Sequence, residues 1–223
     1  MTTIDAPPHP MVEPSPEPTE QELVYEWFRG QPWTEEAYLA LAEVSNHFLE
    51  FSDGRLVILP MPSLTHQRIL KRFQDCVTLW LNEHPLGEVL FAPHPIRLWP
   101  GKYREPDAMI WLNEHHGRMG EKESDPPDLA LEVHSPTNTP LDREDKFREY
   151  ALAGVTEYWM VSPQTRRVSV FTLEGRTYKL LAHFGPGERA RSVILPGFEI
   201  AVDDLFSVEA SSPDQASSPS STP

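Results

Sequence analysis

Residues 104–163 decide the fold, and they read REPDAMIWLNEHHGRMGEKESDPPDLALEVHSPTNTPLDREDKFREYALAGVTEYWMVSP. Two acids stand in apolar, strand-like runs, because Asp107 precedes Ala-Met-Ile-Trp-Leu and Glu132 lies within Leu-Ala-Leu-Glu-Val. An ionised carboxylate in a buried strand is costly unless it is paired or binds a metal ion. Lys146 follows on a helical pattern that leads into a further apolar strand, residues 157–161. The stretch therefore predicts a site at which two acids and a lysine meet.

The alternation of residues 128–134 predicts which side chains share that site. One face of this strand carries Leu129, Leu131 and Val133, and the other carries Ala130, Glu132 and His134. Asp107 would project into the same cleft if the two strands pair. Two carboxylates supply the hard oxygen ligands that Mg²⁺ or Mn²⁺ prefers. Such an ion lowers the pKa of a bound water and stabilises charge on a phosphate, and a nearby lysine can position or deprotonate that water or stabilise the transition state.

The rest of the chain predicts an α/β protein with a mixed β-sheet flanked by helices. Thr34 and Ser63 are expected N-caps, Asp53-Gly54 is a hairpin signal, and Gly154 is expected to end a helix. The expected helices are 34–44, 63–84 and 141–153, and the expected strands are 47–52, 55–59, 88–99, 105–112, 128–135, 155–161, 167–173, 176–182 and 199–202. Cys76 falls on the apolar face of the second helix and is expected to be a packed core residue.

Composition bounds the domains and the compartment. Residues 1–32 are expected to form a disordered, Pro-rich acidic arm, residues 33–206 a single domain, and residues 207–223 a disordered Ser/Pro-rich tail. A single cysteine excludes an intrachain disulfide, and the absence of a long apolar run predicts a cytoplasmic protein that does not engage a membrane. The net charge is −15, but ten acids lie in residues 1–22 and 199–223, which contain no Lys or Arg.

Basic residues are grouped within the predicted domain. They fall at Arg68, Lys71 and Arg72, at Arg97, Lys102 and Arg104, and at Arg143, Lys146 and Arg148. Local basic groups of this kind are compatible with phosphate contacts even in an acidic chain.

Several motifs taken together resemble the Uma-two family, whose members are classed as restriction endonucleases of the PD-(D/E)XK superfamily. The motifs are Leu49-Glu50 with Asp53-Gly54-Arg55-Leu56-Val57, Ser63 with His66, Pro106-Asp107, Leu-Glu-Val-His-Ser-Pro at 131–136, Asp142 with Lys146 and Tyr150, Gly154-Val-Thr-Glu-Tyr-Trp-Met-Val-Ser-Pro at 154–163, and Leu195-Pro196-Gly197-Phe198. They extend over about residues 33–206. The resemblance implies a restriction-endonuclease-like fold, with Glu50, Asp107 and Glu132 as metal-binding acids for Mg²⁺ or Mn²⁺.

The chain departs from the superfamily pattern in one place. The pattern has lysine two residues after the second acid, and His134 stands there. Lys146 on the following helix is the expected substitute, although its pairing with Asp142 at i−4 would be an ordinary surface contact. His134 could instead serve as a metal ligand or an acid, and His66 could lie near the cleft or simply cap and pack its helix.

The leading hypothesis is a Mg²⁺-dependent endonuclease that hydrolyses DNA through water activated at Glu50, Asp107 and Glu132, with Lys146 as a further catalytic residue. A second hypothesis retains the fold as a binding or assembly module without turnover, which the net acidity and the displaced lysine favour. A third keeps the site but acts on RNA or damaged DNA. A homodimer is an expectation, because two-fold symmetry suits cleavage of both strands of a duplex.

Overall fold

A computed structural model describes residues 30–45, 47–134 and 140–207 of the 223-residue chain. The helices are α1 (Glu35–Ala42), α2 (Leu64–Glu83), α3 (Pro140–Ala153) and α4 (Val202–Leu205), with a 3-10 helix at Asn113–Arg118. The strands are β1 (Leu49–Ser52), β2 (Arg55–Ile58), β3 (Gly87–Phe91), β4 (Ile96–Trp99), β5 (Lys102–Arg104), β6 (Ala108–Leu112), β7 (Leu129–Val133), β8 (Glu157–Ser162), β9 (Arg167–Glu174), β10 (Thr177–Phe184), β11 (Arg189–Arg191) and β12 (Glu199–Ala201). The predicted arm and tail lie outside the described residues except for 30–32 and 207.

The strands form three sheets within the predicted mixed α/β architecture. The largest has six strands in the order β10-β9-β8-β7-β6-β3, and the second has four in the order β2-β1-β5-β4. Strands β11 and β12 form a separate pair. Within the six-stranded sheet, β7 and β8 run parallel and are joined through α3, whereas the other neighbours are antiparallel. A mixed sheet with a helical crossover is thereby confirmed.

Local signals placed the helix ends and the first hairpin correctly. The Thr34 hydroxyl accepts a hydrogen bond from Ala37 N, and the Ser63 hydroxyl accepts one from His66 N, so both predicted N-caps are present. Asp53 and Gly54 have φ angles of 50° and 79°, as a tight hairpin turn requires. Gly154, directly after α3, has a φ angle of 87° and ends that helix in the left-handed region.

The predicted continuous strand 88–99 is wrong. The chain instead forms β3, which pairs with β6 in the six-stranded sheet, and then β4, which pairs with β5 in the four-stranded sheet. Pro93 and Pro95 lie between the two strands, and proline has no N–H to donate to a β-ladder. The break lets one apolar run supply strands to two sheets. Strands β5 and β11, helix α4 and the 3-10 helix within the expected loop 113–127 were not predicted.

The six-stranded sheet separates two hydrophobic cores. Helix α2 covers one face, where Phe73 and Val77 pack with Leu131 and Trp159. Helix α3 covers the other, where Tyr150 packs with neighbours that include Met109, Ala130 and Tyr158. A smaller third core lies under α1, around Tyr38, Phe51 and Tyr103. Among the described residues, no helix combines the length and apolar character needed to cross a membrane.

We expect Phe73→Ala to lower the free energy of unfolding by about 3–5 kcal/mol, because the ring is fully buried against Trp159 and Phe198. Leu79→Ala on the same helix is the matched control, since its side chain is 64% exposed. That change should stay within about 0.5 kcal/mol of the parent. Urea titrations followed by circular dichroism measure both values, and equal losses would contradict this description of the α2 face.

Candidate active site

The register of β6 and β7 brings Asp107 beside Glu132. Ala108 pairs with Leu131 and Met109 pairs with Ala130, so the same register carried one residue further sets Asp107 opposite Glu132. Both residues therefore belong to the face of the sheet that α3 covers. The predicted meeting of these two carboxylates is present, and it follows from the antiparallel pairing of the two strands.

Lys146 on α3 extends toward Glu132, and its ammonium contacts one carboxylate from each of the two larger sheets. Its ammonium Nζ donates to Glu132 Oε1 at 3.0 Å and lies 3.1 Å from Glu50 Oε1. Glu132 belongs to β7 of the six-stranded sheet, whereas Glu50 belongs to β1 of the four-stranded sheet. The Tyr150 hydroxyl, one turn further along α3, donates to the same Glu132 oxygen at 2.7 Å. All four side chains are buried.

Arg104 on β5 is a second cation that contacts Glu50, on the other carboxylate oxygen from Lys146. Its guanidinium donates to Glu50 Oε2 and, through Nε, to Glu149 Oε2 at 2.8 Å. Lys102 contacts the other Glu149 oxygen at 2.5 Å. Lys102 and Arg104 are only 5% and 6% exposed. These two members of the basic groups therefore neutralise carboxylates within the protein.

Asp107 is held by contacts from two other elements. Its Oδ2 accepts a hydrogen bond from Val133 N at 2.7 Å and lies 3.0 Å from His66 Nε2. His66 stands in the first turn of α2, directly after the Ser63 cap. Burial opposes protonation of His66, but the hydrogen bond and the charge of Asp107 outweigh it, so the pKa of His66 is raised. The predicted proximity of His66 to the cleft is thereby seen in the structure.

These side chains open into a cavity of about 120 Å³. The polar lining residues are His66, Gln67, Glu105, Asp107, Glu132 and Lys146, and the apolar ones are Phe48, Leu59, Pro60, Met61, Pro62, Leu70, Ala92 and Val133. A largely apolar wall with a few convergent charged groups is the usual make-up of a small-molecule or reaction site.

The acids of this cluster differ in how readily they ionise. Burial opposes ionisation of Glu50, but Lys146 and Arg104 outweigh it and lower the pKa of Glu50. Burial raises the pKa of Glu132, and the charges of Asp107 and Glu50 add to this against the opposing effect of Lys146. Burial also raises the pKa of Glu105 to about 8. Three carboxyl groups, Glu105, Asp107 and Glu132, thus line the cavity beside Lys146, and burial makes Glu105 and Glu132 less readily ionised.

The carboxylates at the cavity can accommodate a divalent cation. Within the described part of the chain, the contacts above engage Asp107 Oδ2 and Glu132 Oε1, which leaves Asp107 Oδ1 and Glu132 Oε2 for such an ion. No group of three or more His, Cys, Asp or Glu side chains in the described ranges is arranged to hold a metal ion. Mg²⁺ is commonly bound by only one or two carboxylates together with waters and substrate phosphate, so a pair of oxygens suffices.

Two residues that the sequence predicted for the site, Glu50 and His134, do not line the cavity with Asp107 and Glu132. Glu50 is fully buried between two cations and is not part of the cavity lining, so its assignment as a metal ligand stays a prediction. His134 is likewise absent from that lining. Burial, reinforced by the charges of Arg143 and Lys146, lowers the pKa of His134 to about 4. Its imidazole is therefore neutral at neutral pH, which disfavours the acid role that had been left open.

Several residues of the site were missed by sequence reasoning. Glu105 was passed over although it stands two residues before Asp107, and Tyr150 was named only as part of a family motif. The spacing of Lys146 and Tyr150, four residues apart on a helix, places both on one face and could have revealed the second. Arg104, which pairs with both Glu50 and Glu149, could not be found this way, because it lies 54 and 45 residues from them along the sequence.

Fold and site together define a protein of the nuclease-fold class. The crystal structure of a protein described as a putative nuclease belonging to DUF820, from Anabaena variabilis ATCC 29413, has the same fold at a TM-score of 0.59 and 16% sequence identity. The similarity covers 83% of this chain and 96% of that one. The family model Uma2, described as "Putative restriction endonuclease", matches residues 35–203, and the chain belongs to this family. No curated protein matches the chain.

We expect Lys146→Met to lower the free energy of unfolding by about 3–5 kcal/mol, because it leaves Glu50 and Glu132 as buried carboxylates without their shared cation. Lys146 opposes the effect of burial on the pKa of Glu132, so without Lys146 that pKa rises further above its value in the unfolded chain. Stability held by such a group is complete below the unfolded pKa and is lost as pH rises through the folded pKa. The deficit relative to the parent should therefore grow as pH rises above about 7, where the pKa of Glu132 lies in the parent.

Lys179→Met is the matched control for that variant. Lys179 also pairs with a glutamate, at 2.8 Å from Glu174, but its side chain is 67% exposed. Its loss should leave the free energy of unfolding close to that of the parent, because exposed ion pairs contribute little. Denaturant unfolding at several pH values measures both variants, and a deficit for Lys146→Met that does not change with pH would contradict the buried ion-pair description.

Proposed function

We propose that this protein is a metal-dependent endonuclease that hydrolyses phosphodiester bonds of nucleic acid, with DNA as the first substrate to test. The observation that carries the proposal is the cavity at which the Asp107 and Glu132 carboxylates meet the Lys146 ammonium. Membership of the Uma2 family supports the same reaction class. The expectations of a homodimer and a cytoplasmic location belong to this proposal, and light scattering tests the first of them.

Asp107 and Glu132 are the residues that would hold Mg²⁺ or Mn²⁺. The ion, when bound, would polarise the scissile phosphate and lower the pKa of an attacking water. The protein's own part is to hold the two carboxylates ready: Val133 N and His66 fix Asp107, while Tyr150 and Lys146 fix Glu132. Such contacts behind metal-binding groups orient them and tune their affinity.

Lys146 acts as a fixed positive charge in this proposal. Burial opposes its protonation, but Glu132 and Glu50 outweigh it and raise the pKa of Lys146. An ammonium with a raised pKa is a poor general base, so it does not deprotonate the water. It stabilises the negative charge that accumulates on the phosphate in the transition state, in a buried setting where electrostatic stabilisation is strong. Glu50 contacts this ammonium and positions it, and Arg104 in turn holds Glu50.

We expect Asp107→Asn and Glu132→Gln each to reduce plasmid nicking in Mg²⁺ or Mn²⁺ by at least about 100-fold, because each removes one ionised oxygen donor at unchanged size. Glu174→Gln is the matched control, since that carboxylate is exposed and lies outside the cavity. Gel electrophoresis of supercoiled plasmid measures nicking, and circular dichroism verifies the fold of each variant. Nicking that survives both substitutions would refute the assignment.

We further expect Mn²⁺ binding to distinguish a metal ligand from a positioning residue. Calorimetric titration should show binding by the parent and its loss in Asp107→Asn. Glu50→Gln should keep Mn²⁺ affinity within about twofold yet lower the nicking rate, because Glu50 contacts Lys146 and Arg104 and not the cavity. Loss of Mn²⁺ affinity in Glu50→Gln would instead make Glu50 a ligand. Metal binding without any nuclease activity would favour the non-catalytic binding module.

A further inference from the structure

A second cavity lies on the outer side of α3 and is not part of the site described above. Its volume is about 620 Å³, and it lies between α3 and strands β8, β9 and β10. It is lined by Arg143, Glu144, Phe147, Arg148, Ala151, Met160, Phe171, Arg176 and Thr177. We call it the arginine groove. Its volume is in the range of ordinary ligand pockets, and it can hold a nucleotide but not a duplex.

The arginine groove is basic in an acidic protein. Three arginines and one glutamate line it, whereas the chain as a whole has a net charge of −15. Arg148 donates to Asp145 at 2.7 Å on the exposed side of α3. Among the described residues, Arg143 and Arg176 form no ion pair with a carboxylate. Within the described part of the chain, these two guanidinium groups can thus bind a negatively charged ligand, and guanidinium matches the geometry of phosphate.

Between the arginines, the groove has an aromatic floor. The rings of Phe147 and Phe171 meet edge to face at 5.0 Å, and both side chains are only half-buried. Met160 and Ala151 complete the apolar part. An apolar floor between cationic side chains suits a ligand that has both a flat ring and a phosphate. A nucleotide within a nucleic-acid strand has this chemistry.

The groove and the candidate active site share α3. Lys146 faces the catalytic cavity, and its neighbour Phe147 faces the groove. Arg143 lies about one helical turn before Lys146, and its charge acts on His134 beside the catalytic strand β7. Both sites thus take lining residues from the same helix.

We propose that the arginine groove binds a single-stranded segment of nucleic acid, whose phosphates contact Arg143 and Arg176 and one of whose bases stacks on the Phe147–Phe171 floor. A positive groove with aromatic platforms is the general means by which proteins bind single strands. The choice of nucleic acid as ligand rests on the proposed nuclease function. Strand binding itself can be measured without cleavage.

The test is binding of fluorescent oligonucleotides of about 16 nucleotides to the full chain in EDTA, measured by anisotropy over a range of salt concentrations. The arms are single-stranded DNA, single-stranded RNA and duplex DNA. We expect the double variant Arg143→Gln/Arg176→Gln to weaken single-strand binding about tenfold. Its plot of log affinity against log salt should be shallower by about 1.4, because two phosphate contacts are lost.

The matched control is Arg55→Gln/Arg191→Gln, which removes the same charge from exposed positions on β2 and β11 outside the groove. Phe171→Leu tests the floor: it keeps an apolar side chain but should weaken single-strand binding about fivefold or more while changing duplex binding less. The relative affinities for DNA and RNA show which polynucleotide the groove prefers.

Equal binding by the groove and control double variants would overturn the proposal. An unchanged affinity for single strands in Phe171→Leu would overturn the stacking part. Strand binding in EDTA and nicking in Mg²⁺ are separate measurements, so the groove and the nuclease site can fail separately. Strand binding that depends on the groove arginines, in a protein without nicking activity, would support the groove and refute the nuclease. The reverse pattern would refute the groove alone.

Discussion

The rest of the structure depends on the Lys146 ammonium, which lies between one carboxylate from each of the two larger sheets. Burying Glu50 and Glu132 without a cation would cost several kcal/mol for each charge. The lysine offsets this cost only where both carboxylates reach it, at 3.1 and 3.0 Å. The contact therefore fixes how the two sheets approach each other and how deeply α3 lies against them. Arg104 completes the neutralisation from the side of the four-stranded sheet.

This constraint also shapes the candidate site. A lysine that is held by two acids keeps its proton, so the chemistry it can offer is that of a fixed charge. Asp107, in contrast, is held by a backbone N–H and by His66, and by no Lys or Arg among the described residues. Asp107 lines the cavity, where an incoming cation would meet a carboxylate that no lysine or arginine among the described residues neutralises.

Much of the fold could be predicted because its signals are local. The caps Thr34 and Ser63 and the Asp53-Gly54 turn each act within four residues, and all are present. The alternation of residues 128–134 correctly separated Leu129, Leu131 and Val133, which pack in the core under α2, from the face that carries Ala130 and Glu132 under α3, since the period of a strand does not depend on its partners. The same alternation, with an antiparallel β6, was sufficient to bring Asp107 to the site.

What could not be predicted depended on distant partners. Nothing near Glu50 in the sequence shows that Arg104, 54 residues later, will neutralise it. The apolar run 88–99 looks like one strand because hydrophobicity does not reveal that its two halves join different sheets. Only Pro93 and Pro95 indicated the break, and prolines at a strand's edge are tolerated often enough that the signal was overlooked.

The arrangement of charge explains how so acidic a chain could act on a polyanion. Basic residues that lie close together in the sequence differ in their burial. Lys102, Arg104 and Lys146 are buried against acids, whereas Arg143 is half-buried and Arg148 is exposed on α3. Repulsion by distant acids is screened within about 10 Å at ordinary salt, so the local field at a bound strand is set by the nearest groups. Around the groove those groups are three arginines and Glu144, with Asp145 paired to Arg148, so the local charge is positive although the net charge of the chain is −15.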